Sequence, residues 1–136
     1  MNGEQVKHFG RCGEMDKQIE CDIKDVIKSI GDLNQQFSAK KILLTGSAGF
    51  LGSQFVNYFM ILNNTGILKK PCYLYAWDNY LRGKPDWLNQ LQKRSDLSVS
   101  DKDVTKNKKF PKVDYIIHAA SVASPTYYRK YPIETI

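Results

Sequence analysis

The chain has 136 residues, of which 42% are hydrophobic and 25% charged, so it can form one domain with a core but not two. No apolar run approaches the length that spans a bilayer, and the N-terminus lacks a signal-peptide core, so we expect a cytoplasmic protein without a membrane partner. The net charge of +6 comes largely from lysines in one polar stretch, which is typical of a solvated loop, and we expect no nucleic-acid partner. The three cysteines lack metal-type spacing, so no metal site is expected.

Residues 1–38 are interpreted as an N-terminal extension that is partly helical. Residues 1–14 have no apolar period, whereas apolar side chains recur at steps of three and four further along. These side chains are Ile19, Ile23, Val26, Ile27, Ile30, Leu33 and Phe37. The pattern predicts an amphipathic helix that packs against the outside of the following domain, which is favoured over a dedicated interaction helix.

From residue 39 onwards, short apolar runs alternate with helical patterns. We predict strands at Lys41–Thr45, Cys72–Trp77, Leu97–Ser100 and Val113–His118, helices from Phe50 to Leu62 and after Pro85, and a further helix opened by Pro132. Strands that form unbroken apolar runs between helices indicate an α/β fold with a parallel sheet covered on both faces.

Three glycines stand between the first predicted strand and the first predicted helix of this unit. Gly46, Gly49 and Gly52 are spaced three apart in the segment Thr-Gly-Ser-Ala-Gly-Phe-Leu-Gly. Glycines in this position allow a tight turn, close approach of the main chain to a pyrophosphate, and close packing of helix on strand. Because the triplet follows an apolar strand and opens an amphipathic helix, it favours a dinucleotide site over an ordinary turn. The predicted fold is therefore a Rossmann-type doubly wound sheet.

Asp78 follows the second predicted strand and suggests which dinucleotide is bound. A carboxylate at this position can accept hydrogen bonds from the adenosine ribose hydroxyls, and it would repel a 2′-phosphate. The sequence therefore favours NAD as the cofactor. Arg82 and Lys84 lie close by in the sequence and leave NADP as the alternative.

From about Lys40 onwards the motifs resemble the extended short-chain dehydrogenase/reductase superfamily, the NAD-dependent epimerases and dehydratases of nucleotide sugars. They are the glycine loop at 45–52, Asp78-Asn79, Asp103-Val104 and His118-Ala119-Ala120-Ser121. The resemblance implies that the glycines, Phe50 and Leu51 hold the pyrophosphate and that Asp78 and Asn79 hold the adenosine ribose. It also implies that Asp103 and Val104 flank the adenine, and that the small Ala119 and Ala120 let the fourth strand lie close to the cofactor.

A finer resemblance begins at Ala123-Ser124-Pro125 and continues through Tyr128 and Tyr131-Pro132. This segment is similar to UDP-glucuronate decarboxylases (UDP-xylose synthases), in which the loop faces the sugar nucleotide. The resemblance implies a UDP-sugar substrate, transient hydride transfer to NAD, and substrate contacts from Ser124, Pro125 and Tyr128. Another nucleotide-sugar 4,6-dehydratase or 4-epimerase, or a non-catalytic dinucleotide-binding protein of the same fold, remains the alternative.

The superfamily's catalytic pair, Tyr-x-x-x-Lys on a later helix, is not expected in this chain. Tyr80 and Lys84 have that spacing, but Gly83 and Pro85 indicate a loop at the adenosine end. We therefore assign no catalytic residue, and we expect residues 39–136 to be the first half of an NAD-binding domain, with four strands, from a longer parent enzyme. Family analogy implies that the parent is a homodimer and that the fragment alone is inactive.

Overall fold

The computed structural model describes residues 17–121 and 129–130. The helices are α1 (Lys17–Ile30), a 3-10 helix (Gly31–Phe37), α2 (Phe50–Asn64) and α3 (Asp86–Leu91). The strands are β1 (Lys41–Thr45), β2 (Tyr73–Asp78), β3 (Leu97–Asp101) and β4 (Tyr115–His118). β1 has the predicted bounds, and the other predicted strands and α2 differ from the observed ones by one or two residues at an end. The helix predicted to open at Pro132 lies outside the described residues.

The four strands form one parallel sheet in the order β3-β2-β1-β4, which confirms the predicted fold class. β2 and β3 extend the sheet on one side of β1, and β4 extends it on the other. The winding direction therefore reverses between β1 and β4, and open α/β sheets bind ligands at such a point, outside the carboxyl ends of the strands. Thr45, Trp77 and His118 lie at the same level of the sheet at that end.

The hydrophobic core lies between one face of the sheet and the helices. Ile42 and Leu44 of β1 are fully buried there, and the face continues with Leu74 and Ala76 of β2. The helices contribute Ile23, Ile27, Val56, Phe59, Met60 and Leu62, and Trp87 and Leu91 of α3 pack against this cluster. Each large aliphatic or aromatic side chain contributes about 1.5–3 kcal/mol on leaving water, and the burial holds α2, with the loop that opens it, against β1.

The opposite face of the sheet is crossed by the connection from β3 to β4. Phe110 of this connection stacks on Trp77, with ring centroids 5.3 Å apart and an interplanar angle of 30°. The sequence predicted helices on both faces, but within residues 17–121 the helices pack on one face only. The reason is that the right-handed crossovers from β1 to β2 and from β2 to β3 run in the same direction and put α2 and α3 on the same side.

The predicted N-terminal helix is divided at Gly31. Instead of one helix to Phe37, α1 ends at Ile30, Gly31 has a φ of +59°, and a 3-10 helix follows. The amide of the fully buried Asn34 donates to the carbonyls of Ile27 (2.8 Å) and Gly31 (2.7 Å), and Tyr58 of α2 donates to its oxygen. The side-chain bonds satisfy carbonyls at the helix end and join the extension to α2, so the extension packs on the domain as predicted.

β4 is more exposed than its apolar sequence suggests. Tyr115 is 38% exposed and Ile116 is 64% exposed, whereas Ile117 packs against the core cluster. Among the described strands β4 lies at the edge of the sheet, and Ile116, which pairs with Leu43, points to the face opposite the core cluster. Burial of an apolar strand thus depends on what lies beside it, which its own sequence does not specify.

A polar cluster fixes the far end of α2. Asn63 donates to the carbonyl of Cys72 (2.9 Å) and to Asp96 (2.8 Å), and its oxygen accepts the backbone N–H of Cys72 (2.9 Å). Arg94 binds Asp96 with two hydrogen bonds of 2.8 and 2.7 Å. Burial alone would raise the pKa of Asp96, but the hydrogen bonds from Arg94 and Asn63 outweigh it and hold this pKa below its ordinary value.

Candidate dinucleotide-binding site

The loop from β1 to α2 folds back against the end of β2. The N–H of Ser47 donates to the carbonyl of Trp77 (3.1 Å), and the N–H of Gly49 donates to the carbonyl of Gly46 (3.1 Å). Gly49 stands at the N-cap of α2, where no side chain accepts a hydrogen bond. The N–H groups of the first turn of α2, with the positive end of the helix dipole, therefore suit a negatively charged ligand.

Among the described glycines, the three predicted ones are those with close backbone neighbours. A Cβ atom on Gly46 would lie 2.5 Å from the carbonyl carbon of Ala119 and 2.6 Å from the nitrogen of Ala120. A Cβ atom on Gly52 would lie 1.9 Å from the carbonyl oxygen of Gly46, and one on Gly49 would lie 3.2 Å from the same oxygen. Because all of these neighbours are backbone atoms, a side chain would have to move the loop or the end of β4. The structure therefore brings the glycine loop and the two alanines together.

Phe50 and Leu51 begin α2 and are exposed. Their exposed fractions are 86% and 62%, the former the largest among the large apolar residues of the described chain. Single exposed apolar side chains are common on protein surfaces, but these two adjoin the uncapped helix end. They are therefore accessible to a ligand held there.

The carboxylate of Asp78 joins the glycine loop to the segment after β2. One oxygen accepts the N–H of Ala48 (2.9 Å), and the other accepts the N–H of Tyr80 (2.8 Å). An ionised carboxylate has about four acceptor positions. Asp78 is thus held in place by the backbone and retains acceptor positions for a ligand. Its bond to the loop was not predicted from the sequence, because the two residues are far apart in the chain.

Asn79, Asp103 and Val104 lie at the same end of the sheet. Asn79 is exposed, and its oxygen accepts the N–H of Leu81 (3.2 Å). The N–H of Lys102 donates to the carbonyl of Asp78 (2.9 Å), which brings the segment after β3 beside β2. Asp103 and Val104 follow in that segment and are half-buried.

The carboxylate of Asp103 has local partners. One oxygen accepts the N–H of Thr105 (2.9 Å) and its hydroxyl (2.6 Å), and Lys106 lies 3.4 Å from the other. The hydrogen bonds from Thr105 hold the pKa of Asp103 below its ordinary value. The carboxylate is therefore ionised at neutral pH and oriented by its own turn.

A side-chain hydrogen bond that was not predicted from the sequence joins the ends of β1 and β4. Thr45 Oγ1 and His118 Nδ1 lie 2.7 Å apart, and the N–H of Ala119 donates to the carbonyl of Thr45 (3.0 Å). Both residues end predicted strands, but only the strand order and register make them neighbours. The available signal was the presence of two polar residues at the ends of apolar strands.

Tyr80 and Lys84 lie in a loop, as predicted. Tyr80 has a φ of +49° and Gly83 a φ of +89°, and the Lys84 ammonium lies 5.5 Å from the centre of the Tyr80 ring. Burial, together with the charges of Asp78 and Asp101, raises the pKa of Tyr80 to about 12. A general base needs a pKa near the working pH, so this tyrosine is unsuited to the role.

The predicted substrate contacts Ser124, Pro125 and Tyr128 lie outside the described residues. Within the described ranges, no group of three or more His, Cys, Asp or Glu side chains could hold a metal ion. None of the helices in that part of the chain has the length and apolar character needed to cross a membrane.

The chain is similar to known proteins over most of its length. Residues 42–136 match the NAD dependent epimerase/dehydratase family. The chain is 34% identical over 99 residues to UDP-glucuronic acid decarboxylase 6 of Arabidopsis thaliana, an alignment that covers 73% of this chain and 26% of that protein. It is 28% identical to UDP-glucuronic acid decarboxylase 1 of Xenopus tropicalis in an alignment 148 residues long, which covers 99% of this chain and 31% of that protein. The chain thus spans between a quarter and a third of the length of these relatives, and it belongs to the NAD dependent epimerase/dehydratase family.

Proposed function

We propose that this chain binds the adenosine and pyrophosphate parts of NAD at the carboxyl end of its sheet. The main support is the close approach of the backbone segments that follow β1 and β4, where Gly46 lies too close to Ala119 for any side chain. The adjoining loop leads into the uncapped N-terminus of α2, whose first N–H groups would donate hydrogen bonds to the pyrophosphate. Phe50 and Leu51 would flank it.

The adenosine would lie beside the ends of β2 and β3. Asp78 and Asn79 would accept hydrogen bonds from the ribose hydroxyls, and Asp103 and Val104 would flank the adenine. Two backbone N–H groups already orient the Asp78 carboxylate, so little conformational freedom is lost when a ribose hydroxyl binds to it.

The same carboxylate favours NAD over NADP because it would repel a 2′-phosphate. Arg82 and Lys84 could otherwise bind such a phosphate. The position of the Lys84 ammonium over the Tyr80 ring supports NAD, since this cation already has an aromatic partner.

In the whole protein, NAD would serve a reaction on a nucleotide sugar, and decarboxylation of UDP-glucuronate is the proposal that the relatives' names support. A sugar carbon would be oxidised by transient hydride transfer to NAD, carbon dioxide would leave, and the hydride would be returned. Ser124, Pro125 and Tyr128 would contact the sugar nucleotide. Residues 1–38 would form an extension to the NAD-binding part, 39–136, of a cytoplasmic homodimer.

Calorimetric titration of the chain with NAD and, separately, with NADP tests the cofactor proposal. We expect NAD to bind more tightly. Asp78→Asn should weaken NAD binding by about tenfold or more, since a hydrogen bond to a charged group contributes about 1.5–3 kcal/mol. Absence of NAD binding by the folded chain, or equal affinity for NADP, would contradict the proposal.

Asp101→Asn is the matched control for this titration. Asp101 ends β3 in register with Asp78, so the variant removes a carboxylate from the same end of the sheet. We expect the affinity for NAD to be unchanged. An equal loss of affinity in both variants would indicate a general disturbance of this end of the sheet instead of the loss of a hydrogen bond to Asp78.

Activity of the whole protein separates the enzyme from its alternatives. Release of carbon dioxide from UDP-glucuronate would support the decarboxylase, whereas a 4-keto-6-deoxy or 4-epimeric product from another UDP-sugar would indicate a dehydratase or an epimerase. Tight NAD binding without turnover of any UDP-sugar would favour a non-catalytic dinucleotide-binding protein.

A further inference from the structure

The ends of β1 and β4 are joined by a side-chain hydrogen bond directly before the proposed cofactor site. Thr45 and His118 are paired in the sheet register, and their side chains meet at 2.7 Å between Oγ1 and Nδ1. Thr45 is 3% exposed, so its hydroxyl requires a protein partner, whereas His118 is exposed and can keep its other ring nitrogen in water.

The residues that follow this pair bring the glycine loop and the end of β4 into close approach. Gly46 comes directly after Thr45, and Ala119 comes directly after His118. The N–H of Ala119 donates to the carbonyl of Thr45 (3.0 Å), and the Gly46 backbone leaves no room for a Cβ atom against Ala119. Any change in the distance between Thr45 and His118 is therefore transmitted over one residue to the gap between the glycine loop and Ala119.

We propose that His118 is a positioning residue for the dinucleotide site. Through its bond with Thr45, His118 holds the glycine loop and Ala119 at the spacing that the cofactor requires. The proposal rests on the proposed function, since the site it serves is the NAD site. His118 acts through Thr45 and does not need to touch the cofactor.

The structure supplies a control that distinguishes positioning from general stabilisation of the strand pair. At the opposite end of β1 and β4, Asp114 accepts the N–H of Lys41 (2.8 Å) and lies 3.4 Å from the ammonium of Lys40. Asp114→Ala therefore loosens the same two strands at the end away from the site. If His118 only stabilised the sheet, equal losses of stability from either end would have equal effects on NAD affinity.

The test compares NAD affinity by calorimetry with stability by urea unfolding. His118→Leu removes the bond at similar side-chain volume, and we expect NAD affinity to fall by about three- to tenfold, the typical effect of one intramolecular hydrogen bond. Asp114→Ala should leave NAD affinity within about twofold at a comparable loss of stability. His118→Asn places a polar atom near the position of Nδ1 and should restore most of the affinity. Equal affinity losses in His118→Leu and Asp114→Ala, or no rescue by His118→Asn, would overturn the proposal.

A double-mutant cycle and a measurement without cofactor complete the test. Thr45→Val should weaken NAD binding as His118→Leu does, and the double variant should be no worse than either single one; additive losses would overturn the proposal. The imidazole ¹⁵N shifts of His118 in the free protein should change in Thr45→Val, and unchanged shifts would likewise overturn it. Because these shifts require no NAD, they decide the positioning bond even if the chain fails to bind NAD, an outcome that refutes the proposed function instead.

Discussion

Replacing Gly46 by alanine tests the close approach of the glycine loop to β4, on which the proposed site depends. Two effects of the new methyl group have to be separated. Gly46 has a φ of +73°, so alanine is strained there even in open space, and its Cβ atom would also lie 2.5 Å from the carbonyl of Ala119. Gly66 after α2 has the same φ of +73° and nothing within 4 Å, so Gly66→Ala measures the strain alone.

The expected magnitudes follow from these two positions. A left-handed alanine costs about 1–2 kcal/mol, and the stiffer unfolded chain offsets about 0.4–1 kcal/mol of it, so Gly66→Ala should lower the free energy of unfolding by about 1 kcal/mol. Gly46→Ala should add an overpacking cost of about 1–3 kcal/mol, because carbon atoms in contact normally lie about 3.5–4.0 Å apart and the neighbours are backbone. We expect a difference of about 2 kcal/mol between the two variants.

Urea unfolding gives the stabilities, and calorimetric titration gives the affinities for NAD. Gly46→Ala should bind NAD at least about tenfold more weakly, because moving the loop or β4 by about 1 Å misaligns the hydrogen bonds to the pyrophosphate. Gly66→Ala should bind as the unaltered chain does. Equal losses of stability in the two variants, with equal NAD affinities, would refute the close approach of Gly46 to Ala119.

Three further predictions concern other sites in the chain. Ser47→Ala should raise the free energy of unfolding by about 1 kcal/mol in urea, because the Ser47 hydroxyl is fully buried and has no hydrogen-bond partner among the described residues; a loss of stability would reveal a bond to this hydroxyl. Ile116→Thr should reduce self-association in light scattering at high protein concentration, because Ile116 is 64% exposed on the edge strand; unchanged scattering would contradict this. The pKa of Asp96 is lowered in the folded state, so its bonds to Arg94 and Asn63 stabilise the protein above the unfolded-state pKa of about 3.9, and this contribution is lost as the pH falls through the folded-state pKa. Asp96→Asn should therefore flatten the acid side of the curve of stability against pH, and an unchanged slope would contradict the assignment.

The alternation of strands and helices could be predicted because it depends on residues that are neighbours in the chain. Periods of apolar residues specify a strand or a helix locally, and Gly66 after the apolar face of α2 specifies where that helix stops. The break at Gly31 was missed because the apolar period continues through it. The amide of Asn34 satisfies the carbonyls at the end of α1. Asn34 is fully buried against α2, where Tyr58 donates a hydrogen bond to its oxygen.

Part of the site could likewise be predicted from residues that are neighbours in the chain. The spacing of Gly46, Gly49 and Gly52 between a strand and a helix predicted where the main chain must have no side chains. Asp78 at the end of β2 predicted a carboxylate beside this glycine loop. The structure adds that Asp78 also holds the loop through the N–H of Ala48, 30 residues earlier in the chain. Such a bond depends on the fold of the loop against β2, which no local pattern encodes.

The sequence by itself thus determined the α/β class, the bounds of β1 and the glycine loop, since each follows from side-chain size and periodicity over a few residues. Only the tertiary structure decided that Thr45 bonds to His118 across 73 residues and that Gly46 abuts Ala119. It also decided that Ile116 is exposed although its strand is apolar. The physical reason is that these features depend on the order and register of strands in the sheet, β3-β2-β1-β4, and on which face the helices cover. Those are set by packing between distant segments, whereas periodicity specifies only the segments themselves.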